Sequence, residues 1–249
     1  ITKSKEYGEK FSPLLNNVSF VDLNDITELQ NSVNSETAAI IFEPVQGEGG
    51  INIAKKEFVE MARKLADKFD CLLIADEIQS GLGRTGSYFA ISSTGVKPDI
   101  ITIAKPLGAG LPIGAVLITD NIASKITYGD HGSTFGANCL ASAVALAFIE
   151  TIENEDLLNN INETGKYFIN SLNELKNKYS FIKEIRGTGF MIGMELNISA
   201  ENLLLDLIKN GLICNCTANT VLRFLPPYIT TKNNIDEAIL IIDKVFKLI

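Results

Sequence analysis

A lysine at the end of an apolar run is the first residue that could carry out chemistry. Residues 99–114 read DIITIAKPLGAGLPIG, which predicts a buried strand from Ile100 to Ala104 that delivers Lys105 into a glycine-rich loop. An unpaired ammonium is costly to bury, but desolvation lowers the pKa of a lysine and makes its amine a nucleophile toward carbonyl groups. The alternative interpretation is a lysine whose stem packs while its charged head reaches water.

An acid follows a second apolar run in the same way. The run from Cys71 to Ala75 is followed by Asp76. Open α/β sheets bind ligands at the carboxyl edge of their parallel strands. Pyridoxal 5'-phosphate requires both groups, because a lysine forms its Schiff base and an acid pairs with its ring nitrogen. The sequence therefore predicts a pyridoxal phosphate site that contains Lys105 and Asp76.

The elements that must position these residues are those of a parallel sheet. Ala38 to Phe42 is another predicted strand, and the segment from Lys55 to Phe69 has an apolar face at helical spacing. The order strand, helix, strand is the crossover unit of a parallel sheet. Glu43 and Glu48 follow the first of these strands in a glycine-rich loop, so we expect both acids at the same sheet edge. A solvated turn is the alternative for this loop.

The composition changes near residue 151, which indicates a second domain. A long amphipathic helix is predicted from Asp156 to Tyr179, and short strands alternating with turns follow it. We therefore expect an α/β fold with a large domain over residues 1–180, including this helix, and a small α+β domain over residues 181–249. A buried, alanine-rich helix is predicted from about Asn138 to Ile149.

The bulk composition argues against several classes of partner. A net charge of −8 argues against nucleic acid, since phosphate binding needs a basic surface. No apolar run reaches the roughly 18 residues of a membrane span, and no signal-peptide pattern is present. The four cysteines form no C-x-x-C pair, and Cys214-Asn-Cys216 would be a weak metal site. We expect a cytoplasmic protein with reduced thiols, without a membrane, nucleic-acid or metal partner.

Two nucleotide-binding motifs are considered and not favoured. Residues 81–86 read G-x-G-x-x-G, but five residues separate them from Ala75 and no long helical pattern follows. A dinucleotide fingerprint needs its glycines directly between strand and helix. The acidic strand at 72–77 is similar to that of P-loop ATPases, yet the chain contains no G-x-x-x-x-G-K-[ST] motif.

The stretches around Asp76-Glu77-Ile78-Gln79 and Lys105 resemble those of the class III aminotransferases, over nearly all 249 residues. Pro106 and Ala109 depart from the family pattern but keep the loop tight. The resemblance implies the PLP-dependent transferase fold type I, with a parallel-rich sheet in the large domain and a small C-terminal α+β domain. It also implies that the N-terminal part of the large domain, with the phosphate loop and the ring-stacking aromatic residue, would precede this chain.

The resemblance implies roles for further cofactor-binding residues. Ile78 would pack on the pyridine ring, and Gln79 would hydrogen-bond its phenolic oxygen. Ser133 and Thr134 would reach the cofactor phosphate of the partner subunit, which implies a homodimer with two shared active sites. From the residues alone, an ST-turn before the alanine-rich helix is the alternative for these two hydroxyls. His131, the single histidine, is given no role.

Arg223 is the candidate substrate-binding residue of the small domain. It lies between apolar neighbours, where an arginine needs an anionic partner. A guanidinium–carboxylate pair suits an amino-acid substrate, and a structural salt bridge is the alternative. The resemblance implies that Arg223 binds the α-carboxylate of one substrate and that Glu48 covers the arginine when the other is bound. Glu43 is left without a role.

Together these features imply a PLP-dependent aminotransferase in which Lys105 holds the cofactor and moves the proton. The motifs are most similar to those of family members that transfer an amino group from N-acetylornithine to 2-oxoglutarate in arginine biosynthesis. Relatives with the same motifs use ornithine, N-succinyl-diaminopimelate or 4-aminobutyrate, and an aminomutase shares the fold. An inactive, truncated chain with only a dimerisation role is the alternative outside enzymes.

Overall fold

The structure, a computed structural model, describes residues 8–249 and contains two main sheets that follow each other along the chain. The strands of the first half are β1 (Ala39–Phe42), β2 (Val45–Gln46), β3 (Asn52–Ile53), β4 (Leu72–Asp76), β5 (Ile100–Ile103) and β6 (Ala115–Ile118). Its helices are α1 (Ile26–Ser32), α2 (Lys56–Phe69), α3 (Asp120–Ala123) and α4 (Cys139–Asn154).

The first sheet has the strand order β1-β4-β5-β6, and β2 and β3 form a separate hairpin. Strands β1, β4 and β5 are parallel, whereas β6 pairs antiparallel with β5. Helix α2 connects β1 to β4 and buries the face that carries Phe58, Ala62 and Leu65. The predicted crossover unit is therefore confirmed, and β1, β4 and β5 end at one edge of the sheet.

The second sheet is antiparallel and belongs to the C-terminal part of the chain. Its order is β7-β8-β10-β9, and it packs with three helices around one apolar core that includes Leu172, Met194 and Phe246. The predicted domain boundary at residue 180 stays a prediction. Residue 180 lies between the helix that ends at Lys178 and the strand that begins at Ile182. The elements here are α5 (Leu157–Lys178), β7 (Ile182–Thr188), β8 (Met191–Leu196), α6 (Glu201–Lys209), β9 (Asn215–Thr217), β10 (Val221–Phe224) and α7 (Lys232–Phe246).

Helix α4 differs from the prediction of a buried helix. Its buried side chains are Ala141, Ala145 and Ile152, while Leu140 and Leu146 are 66% and 58% exposed. The helix packs one narrow face on the protein. Phe148 and Ile149 are partly buried against neighbouring clusters, but Leu140 and Leu146 find no covering element among residues 8–249. The apolar composition therefore predicted more burial than the helix has.

Three further features concern membranes, metals and thiols. Between residues 8 and 249 no helix is both long enough and apolar enough to cross a bilayer. The same residues contain no cluster of three or more histidine, cysteine or acidic side chains that could hold a metal ion. All four cysteines are free thiols. Burial raises the pKa of the Cys214 thiol to about 12, and the neighbouring Cys216 adds to this effect.

Helix α5 approaches the turn between β7 and β8 so closely that a glycine is required. A Cβ atom on Gly165 would lie 2.4 Å from the carbonyl oxygen of Gly189. Gly189 has a φ of 53°, and its own Cβ position is 2.5 Å from the carbonyl carbon of Thr85. Three separate parts of the chain therefore meet backbone to backbone at this point.

We expect Gly165→Ala to lower the free energy of unfolding by about 1–3 kcal/mol, because the added methyl group overlaps a backbone that cannot move freely. Helix propensity alone would change it by about 1 kcal/mol in the opposite direction. Urea denaturation of both proteins measures the difference. Lys166→Ala, at the adjacent exposed position, is the control and should stay within about 0.5 kcal/mol. A Gly165→Ala protein as stable as the wild type would contradict the contact.

Candidate active site

Asp76 closes β4 at the carboxyl edge of the first sheet, as predicted, directly opposite Thr102 of β5. Its Oδ1 atom accepts a hydrogen bond from the Thr102 hydroxyl at 3.0 Å and from the backbone N–H of Ile78 at 3.1 Å. Oδ2 has no hydrogen-bond partner within residues 8–249. The carboxylate is therefore held in one orientation with one oxygen available. Thr102 was missed, although a single hydroxyl in the run IITI is a signal for it.

Lys105 follows β5 at the same edge but is not buried. The strand ends at Ile103, and Lys105 begins a 3-10 turn that extends to Gly108. This turn directs Leu107 into the core and leaves the Lys105 side chain exposed. The expectation that burial desolvates this lysine is wrong for residues 8–249, because the chain turns as soon as the strand ends. Its amine has no hydrogen-bond or ion-pair partner in that part of the chain.

Glu43, which has no predicted role, lies within electrostatic reach of three predicted site residues. Its Oε2 atom accepts a hydrogen bond from the backbone N–H of Gly47 at 3.0 Å. Burial is the main cause that raises its pKa, and the carboxylates of Asp76 and Glu48 add to it; the Gly47 bond and the Lys105 ammonium act in the opposite direction. The acids Glu48 and Asp76 and the base Lys105 therefore all lie within electrostatic reach of one carboxyl group.

The raised pKa of Glu43 gives a pH-dependent prediction. Its folded pKa lies above the ordinary value of 4.5, so its ionisation destabilises the fold as the pH rises from that value through the folded pKa. Glu43→Gln removes this ionisation. We expect the stability of Glu43→Gln, relative to wild type, to improve as the pH rises from 4.5 through the raised pKa of Glu43, measured by urea denaturation. The same difference for the exposed Glu57→Gln is subtracted as a control. If the stability difference between Glu43→Gln and wild type stayed constant or fell as the pH rises, the raised pKa of Glu43 would be contradicted.

Arg223 brings the loop after β1 and the segment after β4 to the second sheet. It lies on β10 and is 6% exposed. Its Nη1 atom donates to Glu48 Oε1 at 2.8 Å and to Gln79 Oε1 at 3.4 Å. The Arg223 Nε atom is buried and has no partner among residues 8–249. The partner carboxylate of Glu48 is 68% exposed, so a buried cation is covered by a side chain that has room to leave it.

The two hydroxyls predicted to bind phosphate lie on an exposed loop, apart from these residues. Ser133 Oγ accepts a hydrogen bond from the backbone N–H of Gly136 at 2.8 Å, which closes a local turn, but the cap of helix α4 is Asn138 and neither hydroxyl. Within the described chain no hydrogen bond or ion pair joins Ser133 or Thr134 to another candidate residue. Their role stays a prediction, as does that of the half-buried Ile78.

Glu77 is a second buried acid at this edge, and the sequence analysis did not assign it. Its Oε2 atom accepts from the Ser80 hydroxyl at 2.5 Å and its Oε1 atom from the backbone N–H of Ile91 at 2.8 Å. Burial raises its pKa, and these two hydrogen bonds oppose the rise. Both carboxylate oxygens are thus used. Glu77 fixes the 3-10 turn that includes Ile91 beneath the site.

The glycine-rich stretch at residues 81–86 contacts the second half of the chain. The Tyr228 hydroxyl donates to the carbonyl of Leu82 at 3.0 Å, and the backbone N–H of Phe190 donates to the carbonyl of Arg84 at 2.9 Å. The Arg84 guanidinium lies 4.5 Å from the centre of the Tyr228 ring. These contacts hold the loop against the second half of the chain.

Comparison with known sequences identifies relatives over almost the whole chain. The family model described as Aminotransferase class-III matches residues 1–246. The acetylornithine aminotransferase of Methanocaldococcus jannaschii is 48% identical over 245 residues, which are 98% of this chain and 62% of that protein. Ornithine aminotransferase 1 of Staphylococcus saprophyticus is 41% identical over 248 residues, 99% of this chain and 62% of the relative. The chain therefore spans about 62% of the length of these relatives.

Solved structures give the same result for the fold. The ornithine aminotransferase from Toxoplasma gondii superimposes with a TM-score of 0.93 at 34% identity, covering 99% of this chain and 59% of that one. Acetylornithine aminotransferase from Elizabethkingia anophelis gives a TM-score of 0.86 at 34% identity, covering 92% and 59%. The predicted fold type I is thus confirmed. With a family model that extends from residue 1 to residue 246, the chain belongs to the class III aminotransferases.

Proposed function

We propose that this protein carries the lysine, acid and arginine of a PLP-dependent aminotransferase that transfers an amino group from an ω-amino acid to 2-oxoglutarate. The observation that carries the proposal is that Asp76 and Lys105 follow neighbouring parallel strands to one sheet edge, within electrostatic reach of Glu43, while Arg223 pairs with Glu48 of the adjoining loop. The proposal also places the enzyme in the cytoplasm, with reduced thiols. Family membership and the free cysteines support it.

The donor groups at the sheet edge suit pyridoxal phosphate. Asp76 presents one free carboxylate oxygen, which could hold a protonated ring nitrogen, and Lys105 presents an amine without a partner in residues 8–249. Ile78 and Gln79 would contact the ring. When bound, the cofactor supplies an electron-withdrawing ring that stabilises negative charge on the carbon beside the amino group.

In the proposed reaction, one side chain of this protein would transfer protons and others would bind the cofactor and the substrate. Lys105 Nζ, exposed at the sheet edge, would take the proton from the substrate carbon and return it during the transfer. The Asp76 carboxylate, oriented by the Thr102 hydroxyl, would keep a proton on the ring nitrogen. Arg223 would bind a substrate carboxylate once Glu48 swings away, so that one pocket accepts two different substrates.

A homodimer with shared sites is part of the proposal. Ser133 and Thr134, which lie on an exposed loop, would reach the cofactor phosphate of the neighbouring subunit. Large apolar side chains stand exposed on the same loop and on the helix that follows: Tyr128, Phe135, Leu140 and Leu146. An exposed apolar surface of this kind is typical of a protein interface and supports the dimer.

N-acetylornithine is the proposed amino donor, in arginine biosynthesis. It is supported by relatives named acetylornithine aminotransferase at 48% and 43% identity. Ornithine is the second candidate, because relatives named ornithine aminotransferase are 41–45% identical. Comparison of kcat/KM for N-acetylornithine and ornithine, with 2-oxoglutarate as acceptor, separates the two. An amino transfer that needs no 2-oxoglutarate would indicate an aminomutase instead.

The proposal is tested by trapping the cofactor. The protein is incubated with pyridoxal phosphate, reduced with borohydride and digested, and the labelled peptide is identified by mass. We expect one label on Lys105 and a visible absorption band that Lys105→Ala lacks. An equal label in Lys105→Ala would overturn the proposed role of the lysine. If no label forms, the alternative of a chain with only a dimerisation role is favoured.

A further inference from the structure

The loop that carries Glu48 reaches across to the second sheet. Strands β2 and β3 pair as a hairpin, and the backbone N–H of Ile51 donates to the carbonyl of Gln46 at 3.0 Å. The tip of this hairpin, residues 47–51, is called the gate loop below. Its first half contains Glu48, which pairs with Arg223; its second half makes separate contacts with β7, β8 and β10.

Ile51 anchors the second half of the gate loop by burial. Its side chain is fully buried, although its φ of 60° is one that β-branched residues rarely adopt. A Cβ atom on Gly193 of β8 would lie 3.0 Å from the Cβ of Ile51 and 3.2 Å from a methyl group of Val221. The isoleucine therefore packs directly on the backbone of the second sheet, at a position where only glycine leaves room.

Arg186 adds a polar anchor to the same half of the loop. Its Nε atom donates to the carbonyl of Gly50 at 2.8 Å. Its Nη1 atom binds the carboxylates of Glu184, at 2.8 Å, and of Glu195. Two acids thus fix the guanidinium, whose side chain is 15% exposed, and the Nε–H is directed at the main chain two residues after Glu48.

We propose that Arg186 is a positioning residue that holds the gate loop on the second sheet and so sets how completely Glu48 covers Arg223. The inference rests on the proposed function. With residues 50 and 51 held, uncovering of Arg223 involves only residues 47–49 and the exposed Glu48 side chain. Without Arg186, the loop backbone gains freedom, Glu48 leaves Arg223 more often, and a dicarboxylate finds the arginine uncovered.

The inference is tested in the holoenzyme with Arg186→Met. The first readout is hydrogen–deuterium exchange of the peptide that contains the gate loop, measured without substrate. The second is inhibition by glutarate, a dicarboxylate that cannot accept an amino group. Lys183→Met is the matched control, because Lys183 also binds Glu195 but does not contact the gate loop. Glu48→Gln is the reference for an uncovered Arg223.

In Arg186→Met we expect faster exchange in the gate loop and a Ki for glutarate that falls about five-fold, toward that of Glu48→Gln. The KM for the amino donor should rise while kcat changes by less than about two-fold. Lys183→Met should match the wild type in each measurement. Arg186→Lys keeps an ion pair with Glu195 but cannot hold two acids and the Gly50 carbonyl together. This variant should therefore change exchange and Ki in the same direction while its thermal midpoint stays near that of the wild type.

Two results would overturn the inference while the proposed function stands. One is exchange and Ki values in Arg186→Met that equal those of Lys183→Met. The other is faster exchange in the gate loop with an unchanged Ki for glutarate, which would show that Arg186 anchors the loop without controlling how Glu48 covers Arg223. A Ki unchanged in Glu48→Gln itself would show that Glu48 does not cover Arg223, and the proposed gate would fail together with the inference.

Discussion

Replacing Lys105 by alanine should lower kcat for amino transfer by about 10³-fold or more. The amine of Lys105 stands at the end of β5, on the sheet edge that it shares with Asp76 and Glu43. Neither of those acids can take its place, because Asp76 is held by Thr102 and Glu43 by the backbone of Gly47. Glu48, the third acid near Glu43, is paired with Arg223. Removal of the amine therefore leaves no unpaired base near Glu43. Steady-state rates with N-acetylornithine and 2-oxoglutarate measure the effect.

Two controls separate a lost base from a damaged fold. Lys125→Ala, at an exposed lysine, should retain wild-type kcat. In Lys105→Ala, a small primary amine added to the buffer should restore part of the rate, increasing with amine concentration, because an external base can then carry the proton. A Lys105→Ala protein that turns over at the wild-type rate would contradict the mechanism. Circular dichroism of both variants checks that the fold is retained.

Those parts of the site that depend on local sequence could be predicted. The runs before Asp76 and Lys105 have the length and apolar character of buried parallel strands, and a charged residue directly after such a run must lie at the sheet edge. The family motif then added Gln79 and Arg223, which the structure joins through one hydrogen bond. The positions of Asp76 and Lys105 could be predicted because strand and loop are adjacent in the chain, whereas the roles of Gln79 and Arg223 stay predictions.

Contacts between distant residues could not be predicted from the residues alone, and the Glu48–Arg223 pair was expected only through the family resemblance. Arg186 binds the carbonyl of Gly50, which lies 136 residues earlier, and a carbonyl group has no signature in a sequence. The exposure of Lys105 depends on the turn that begins at that residue, not on the apolar strand before it. Helix α4 shows the same limit, since apolar residues such as Leu146 indicate burial but do not identify the element that covers them.

Replacing Arg223 by alanine should raise the KM for 2-oxoglutarate about 100-fold and affect the donor half-reaction less. The guanidinium is almost fully buried, and its Nε atom has no partner among residues 8–249, so it can bind an incoming carboxylate without losing all its present contacts. Under the proposed function, Glu48 covers Arg223 in the donor half-reaction, so the arginine does not bind the donor and its removal should change the donor KM less. Single-turnover rates of each half-reaction, measured against substrate concentration, give the two values.

The comparison with Glu48→Gln decides between a substrate-binding arginine and a structural salt bridge. If Arg223 binds the carboxylate of 2-oxoglutarate, the two variants act in opposite directions: Arg223→Ala weakens binding of the oxo acid, and Glu48→Gln strengthens it, since a neutral amide competes less well for the guanidinium. A structural salt bridge predicts no opposite shifts in KM. Both variants would then lower the free energy of unfolding, and the ratio of the KM values for the two substrates would stay constant. Because the Glu48 side chain is largely exposed, it can leave the buried Arg223 and be solvated by water, and we expect the opposite shifts in KM.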